Sequence, residues 1–145
     1  MKLVLQRVTN ATVYIEGKTV AKISKGLLIF FGVEKNDNSD KVNYLADKAL
    51  TLRIFQDDKG KMNFSCLDVS AEVLVISQFT LAGDCTKGKR PSFDNAAQPK
   101  EAKFLYRQFI EKVSESGLTV KEGKFGANMQ VELVNDGPVT FVLEG

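Results

Sequence analysis

Leu27-Leu28-Ile29-Phe30-Phe31-Gly32-Val33 is an unbroken apolar run of strand length, far short of the roughly twenty residues a membrane-spanning helix needs. A strand with one wet face would alternate. A run with no polar position reads instead as a central strand covered on both faces.

Toward the N-terminus, Leu3, Leu5 and Val8 alternate with polar neighbours, and Thr12 to Ile15 is a second β-type stretch. Glu16-Gly17-Lys18 is a turn signal, so Val20 to Ile23 reads as the return strand of a hairpin. Toward the C-terminus, Val42, Leu45, Ala46, Ala49 and Leu50 have the spacing of a buried helix face, with Asn38 or Ser39 as its cap. Asp57 to Gly60 predicts a hairpin turn between Leu52–Phe55 and Met62–Phe64, and Val73 to Ile76 is a further strand ending in Ser77-Gln78-Phe79-Thr80-Leu81.

Gly83 to Gln98 lacks periodicity and reads as a long loop. Pro99 suits the first turn of a second helix, whose stripe is Ala102, Leu105, Tyr106, Phe109, Ile110 and Val113 and whose stop is Gly117. The tail predicts three strands, Leu118 to Lys121, Met129 to Val134 and Val139 to Leu143. Asn135-Asp136-Gly137-Pro138 then reads as a tight turn between the last two, the sharper alternative being a cis Gly137–Pro138 bond. The pattern is a mixed, sheet-dominated α/β fold in a single domain over residues 1–145, with two helices to cover the sheet.

Composition narrows the chemistry more than any motif does. The chain has 145 residues and no histidine, so a Ser or Thr nucleophile would have to find another base. Its two cysteines, Cys66 and Cys85, have no disulfide or ligand spacing, and a zinc site would need borrowed carboxylates. No metal and no cofactor is expected. The thiols read as reduced in a cytoplasmic protein, and the N-terminus turns polar too early for a signal peptide. A net charge of +2 leaves any nucleic-acid argument to local clusters.

Three segments carry candidate chemistry. Ser77 and Thr80 are either strand-end caps bonded to backbone or hydroxyl nucleophiles, while Gln78 and the Phe79 backbone N–H offer an oxyanion cradle. Gly137-Pro138 offers fixed carbonyl acceptors for an ammonium group. Lys87, Lys89 and Arg90, with Lys100, Lys103 and Arg107 on one face of the following helix, are either a solvated charged surface or a phosphate-binding one, with Phe93 placed to stack on a base.

These segments together resemble the D-aminoacyl-tRNA deacylase family. The resemblance runs through Gln6-Arg7-Val8, Leu52-Arg53-Ile54-Phe55, Gly60-Lys61-Met62-Asn63, Ser77 to Leu81, Lys89-Arg90-Pro91-Ser92-Phe93, and the stretch from Phe125-Gly126-Ala127 to Thr140. It implies a barrel-like sheet with two covering helices and hydrolysis of D-aminoacyl-tRNA, and of glycyl-tRNA, with rejection of the L-ester. Ser77, Gln78, Phe79 and Thr80 would form the catalytic floor, with the Phe79 amide supporting the oxyanion and the ribose 2′-hydroxyl of the substrate assisting water. Gly137-Pro138 would be a cis pair entering the active site of the other subunit of a homodimer. Arg7 would hold that pair, Phe125 and Met129 would line the cleft near the terminal adenosine of the tRNA, and Lys87, Lys89 and Arg90 would bind tRNA.

Overall fold

Residues Gly26–Gly32 form the third strand of the computed structural model, which describes residues 1–145, and lie at the centre of its main sheet. In chain order the elements are β1 (Lys2–Ile15), β2 (Lys18–Ile23), β3 (Gly26–Gly32), α1 (Ser39–Thr51), β4 (Phe55–Gln56), β5 (Met62–Phe64), β6 (Glu72–Ser77), a 3₁₀ turn (Phe79–Ala82), α2 (Pro99–Ser114), β7 (Val120–Glu122) and β8 (Gln130–Glu144). The sheet runs β2-β1-β3-β6-β7, with β8 also paired to β1. β3 is antiparallel to β1 and parallel to β6, the latter reached by a crossover that contains α1.

Both faces of β3 are covered, as its sequence predicts. Leu27, Ile29 and Phe31 pack with Leu45 and Ala49 of α1 and Leu105, Tyr106 and Phe109 of α2. Leu28 points the other way, into a smaller core with Val8, Ala11, Val13, Ile23 and Ile76. The second cover is therefore the sheet's own curled end, which makes it barrel-like.

Both helices follow the predicted spacing. The Asn38 side chain accepts from the Lys41 N–H at 3.1 Å, a cap worth about 1 kcal/mol. Val42, Leu45, Ala46, Ala49 and Leu50 are buried. In α2, Pro99 opens the first turn and Leu105, Tyr106, Phe109 and Val113 are buried, while Ala102 and Ile110 are half-buried. The Phe109 and Phe31 rings lie 4.6 Å apart, and truncating such a buried ring to alanine costs about 3–5 kcal/mol. Neither helix is long and apolar enough to cross a membrane.

Three expectations change. Lys2–Ile15 is one strand rather than two: its first part pairs with β3, its second with β2, and β8 runs along both. Apolar positions slip by one between Val8 and Ala11, where the register with β8 shifts, so a period-2 search sees two strands. Gln130–Glu144 is also one strand, and Asn135–Pro138 is not a hairpin turn. Thr140 pairs with Gln6 and Asn135 with Val8, so the four residues Asp136–Val139 stand opposite Arg7 alone. The excursion is a large bulge in a continuing strand. Finally, β4 covers only Phe55–Gln56: Leu52 is still the C-cap of α1, its N–H donating to the Lys48 carbonyl at 3.0 Å, and the Ile54 carbonyl accepts from the Arg7 guanidinium at 2.6 Å.

A buried charge cluster was not legible in the sequence. The Met1 ammonium donates to Glu34 at 3.0 Å, to Asp37 at 2.8 Å and to the Gly145 carbonyl at 3.1 Å. This ties the start of β1 to the segment before α1 and to the end of β8.

Candidate active site

β6 carries the Ser77 segment out of the core. Ser77 is its last residue and pairs with Phe31, after which the Gln78 N–H still donates to the Phe31 carbonyl at 2.8 Å. The chain then turns into the 3₁₀ segment, which lies directly on β3. A Cβ at Gly32 would sit 2.8 Å from the Leu81 Cβ and 2.9 Å from the Gln78 carbonyl oxygen, so only glycine permits this approach. The first amide that the turn engages is that of Leu81, donating to the Gln78 carbonyl at 3.2 Å. The Phe79 and Thr80 N–H groups ahead of it have no partner inside the turn.

Beside this turn lies a cleft of about 550 Å³. Ser77, Gln78 and Phe79 form one side, Phe125 and Met129 another, and Pro99, Ala102 and Tyr106 of α2 a third. Five of the residues that the sequence nominates are thus brought together. Thr80 does not line the cleft; its hydroxyl accepts a hydrogen bond from the Gln78 side-chain amide. The Phe79 ring is exposed at the mouth and packs 5.0 Å from the Phe93 ring.

The walls carry no carboxylate, lysine, arginine or cysteine; Tyr106 is the one titratable residue among them. Its hydroxyl donates to the Val75 carbonyl at 2.9 Å, and burial, with Glu122 nearby, pushes the phenol well above its ordinary value. Tyr106 is a neutral structural group at pH 7 and no base. Taken with the missing histidine, this leaves neither Ser77 nor Thr80 a protein base within the cleft. What the cleft offers is apolar wall, the Ser77 hydroxyl, two amide side chains (Gln78, Asn128) and backbone.

Arg7, Gly137 and Pro138 lie outside this cleft. Gly137–Pro138 is a cis bond at the exposed tip of the β8 bulge. Arg7, almost fully buried, donates through Nε to the Asp136 carbonyl at 2.9 Å while its Nη1 holds the Ile54 carbonyl. Asn135, read from sequence only as a turn residue, closes the base of the bulge. Its Oδ1 accepts from the Val139 N–H at 2.6 Å and its Nδ2 donates to the Val139 carbonyl at 3.2 Å. Gly137 has φ +147°, and a Cβ there would fall 2.6 Å from Val139 Cγ2 and 3.2 Å from an Arg7 guanidinium nitrogen.

Lys87, Lys89 and Arg90 are exposed on a loop closed by reciprocal hydrogen bonds between the Asp84 and Ser92 backbones, at 2.8 and 2.9 Å. None of the three has a carboxylate within ion-pairing distance. Sequence reasoning missed the α2 contribution to the cleft: Pro99, Ala102 and Tyr106 read as cap and core, and nothing in their spacing says that one end of the stripe emerges into a cavity.

Known proteins resemble this chain in sequence and in fold. The sequence model of the family described as D-Tyr-tRNA(Tyr) deacylase matches residues 4–144. The D-aminoacyl-tRNA deacylase of Thermosipho africanus is 55% identical over 144 residues, covering 99% of this chain and 97% of its own. Among solved structures, a c-Myc DNA unwinding element binding protein superposes with a TM-score of 0.94 at 39% identity, covering 100% of this chain and 99% of that one. A structure described as a probable eukaryotic D-amino acid tRNA deacylase superposes at 0.83 with 16% identity, covering 98% and 97%, and that likeness speaks to the fold alone.

Proposed function

The chain belongs to the D-Tyr-tRNA(Tyr) deacylase family, and on that premise we propose that residues 1–145 form one deacylase domain that hydrolyses the ester of D-aminoacyl-tRNA to tRNA and the free D-amino acid. The observation that carries the mechanism is the cleft without a base. An aminoacyl ester is already activated, so its hydrolysis needs positioned water and stabilisation of a developing oxyanion more than it needs a strong protein base. The Phe79 backbone N–H supplies the oxyanion donor, Ser77 and Gln78 shape the floor, and the vicinal 2′-hydroxyl of the terminal ribose assists the water. Phe125 and Met129 hold the terminal adenosine. Each tenfold in rate requires about 1.4 kcal/mol, so two or three preorganised donors make a sufficient contribution.

Selectivity follows from where rigid backbone stands. A site that accepts many D side chains must grip the ammonium and ester and obstruct the L direction. The β8 bulge suits that task because it is exposed at its tip and held at its base by Arg7 and Asn135. Since Gly137 and Pro138 lie outside their own chain's cleft, they act in a cytoplasmic homodimer, each bulge entering the partner's cleft. Glycyl-tRNA has no side chain to obstruct and is hydrolysed as well. Lys87, Lys89 and Arg90 contact the tRNA.

The test is a single-turnover reaction with D-tyrosyl-tRNA labelled in the amino acid, quenched in denaturant. Label released without any protein-bound fraction, and a rate that drops at least tenfold when the terminal 2′-hydroxyl is replaced by hydrogen, supports the reading. A trapped acyl-protein would replace it with Ser77 or Thr80 nucleophilic catalysis.

A further inference from the structure

From the placement of α2 we infer that its cleft-side flank, Lys100, Lys103 and Arg107, is the bed for the sugar–phosphate backbone of the substrate's helical arm, while the esterified 3′ end occupies the cleft. The inference rests on the deacylase reading and adds a direction of approach to it. Taking about 100° per residue, Pro99 and Tyr106, which line the cleft with Ala102, stand about 60° and 40° round the helix from Ala102. Lys103, Arg107 and Lys100 continue the same way, at about 100°, 140° and 160°. Gln108 lies about 120° in the opposite sense, and that flank is occupied, since Gln108 accepts from Ser39 of α1 at 2.9 Å. One flank of α2 is therefore closed by its neighbouring helix, and the other runs on from the cleft wall to solvent.

All three cations on the open flank are exposed, and none has a carboxylate within 4.0 Å. Glu101 falls on the closed side, and Glu111 lies one turn beyond Arg107 without pairing to it. The strip is about 10 Å long, seven residues at about 1.5 Å each, and duplex backbone of that length presents several phosphates. Phe104, 59% exposed, stands about 40° beyond Lys100 on the edge of the strip away from the cleft and gives it an apolar element that a sugar ring can cover. Charge complementarity and continuity with the cleft select a polyanionic arm as the occupant.

The experiment compares the parent with a Lys100→Ala, Lys103→Ala, Arg107→Ala variant, and with a control lacking Lys48, Lys59 and Lys61, none of which lines the cleft. Two readouts are used: the salt dependence of uncharged tRNA binding, and hydrolysis of D-tyrosyl-tRNA beside 3′-O-D-tyrosyl-adenosine, which has no arm. Each phosphate contact contributes about 0.7–0.9 to the slope of log K against log salt. The strip variant is expected to lose two to three units of slope and to raise KM for D-tyrosyl-tRNA at least tenfold, with the adenosine ester cleaved at the parental rate and the control unchanged on all counts. A parental slope and KM in the strip variant, or equal losses in the control, would overturn the inference. So would loss of the adenosine-ester activity, which would place these residues in the cleft chemistry. Failure of the parent to cleave either ester would instead overturn the deacylase reading, and the binding slopes report on the strip independently of it.

Discussion

Replacing Arg7 by Met tests whether the β8 bulge is a held structure with a task. Met nearly preserves the buried volume, so the change isolates the guanidinium. Arg7 bridges two carbonyls from different parts of the chain, Asp136 at 2.9 Å and Ile54 at 2.6 Å. Hydrogen bonds from a charged donor are worth about 1.5–3 kcal/mol each, and the carbonyls left behind lose their partner. The Asp136 carboxylate, 40% exposed at 3.4 Å, adds under about 1 kcal/mol. Removing a buried charge returns part of its desolvation cost, so the net expectation is about 3–5 kcal/mol. At about 4 °C per kcal/mol for a chain of this size, Tm should fall by roughly 12–20 °C. The loss should be local first: the Val139 amide, bonded to Asn135 Oδ1, should exchange at least tenfold faster below the melting range. If the bulge is the stereochemical gate, cleavage of L-tyrosyl-tRNA should rise while that of D-tyrosyl-tRNA falls. An unchanged Tm and Val139 exchange would refute the structural argument. A loosened bulge with an unchanged D-to-L ratio would refute the gate.

Thr80→Ala should keep activity on D-tyrosyl-tRNA within about tenfold of the parent, since Thr80 lies off the cleft and a missing nucleophile would cost several orders of magnitude; a collapse in kcat would contradict this. For Asp37, burial pushes the carboxyl up, but the Met1 ammonium, the Glu34 N–H and Lys41 outweigh it and leave the value below the ordinary one. A lowered folded value gives stability that is fully present above the free carboxyl's value of about 4 and is lost as pH falls on through the lowered, folded value. Asp37→Asn should therefore cost about 3 kcal/mol at pH 7 and flatten the acid limb of stability in urea melts at pH 7, 4 and 3; parallel curves for parent and variant would disprove it. Burial pushes the Cys66 thiol up to about 12, while Cys85 is exposed. A thiol reagent at pH 8 should titrate one cysteine in the native protein and two in denaturant, and two reactive native thiols would contradict the packing around Cys66.

Local rules were enough for the helices and the central strand. Asn38 and Pro99 marked the helix starts, whereas α2 ends at Ser114 with Glu115 as its cap, ahead of Gly117; the unbroken Leu27–Val33 run announced cover on both faces, because capping, helical spacing and burial are written within a few residues. What depended on distant pairing was illegible. Asn-Asp-Gly-Pro has one composition whether it closes a hairpin or bulges from a continuing strand, and the choice is made by Arg7, far away in β1. Glu34 and Asp37 read as a polar loop because their partner is the Met1 ammonium. The joining of Ser77 to Phe125 and Met129 came from family resemblance and not from spacing. The sequence placed Lys100, Lys103 and Arg107 on one helix face, but which flank of that helix opens onto the cleft depends on how α1 packs.

The activity proposed for this cleft is metal-independent hydrolysis that reads chirality. D-tyrosyl-tRNA and L-tyrosyl-tRNA, incubated with the protein at one salt concentration in the presence of a chelator, test it most directly. The D ester should be lost with the L ester left at its spontaneous rate, unchanged by the chelator. Equal loss of both esters, or activity that disappears with chelation, would contradict it.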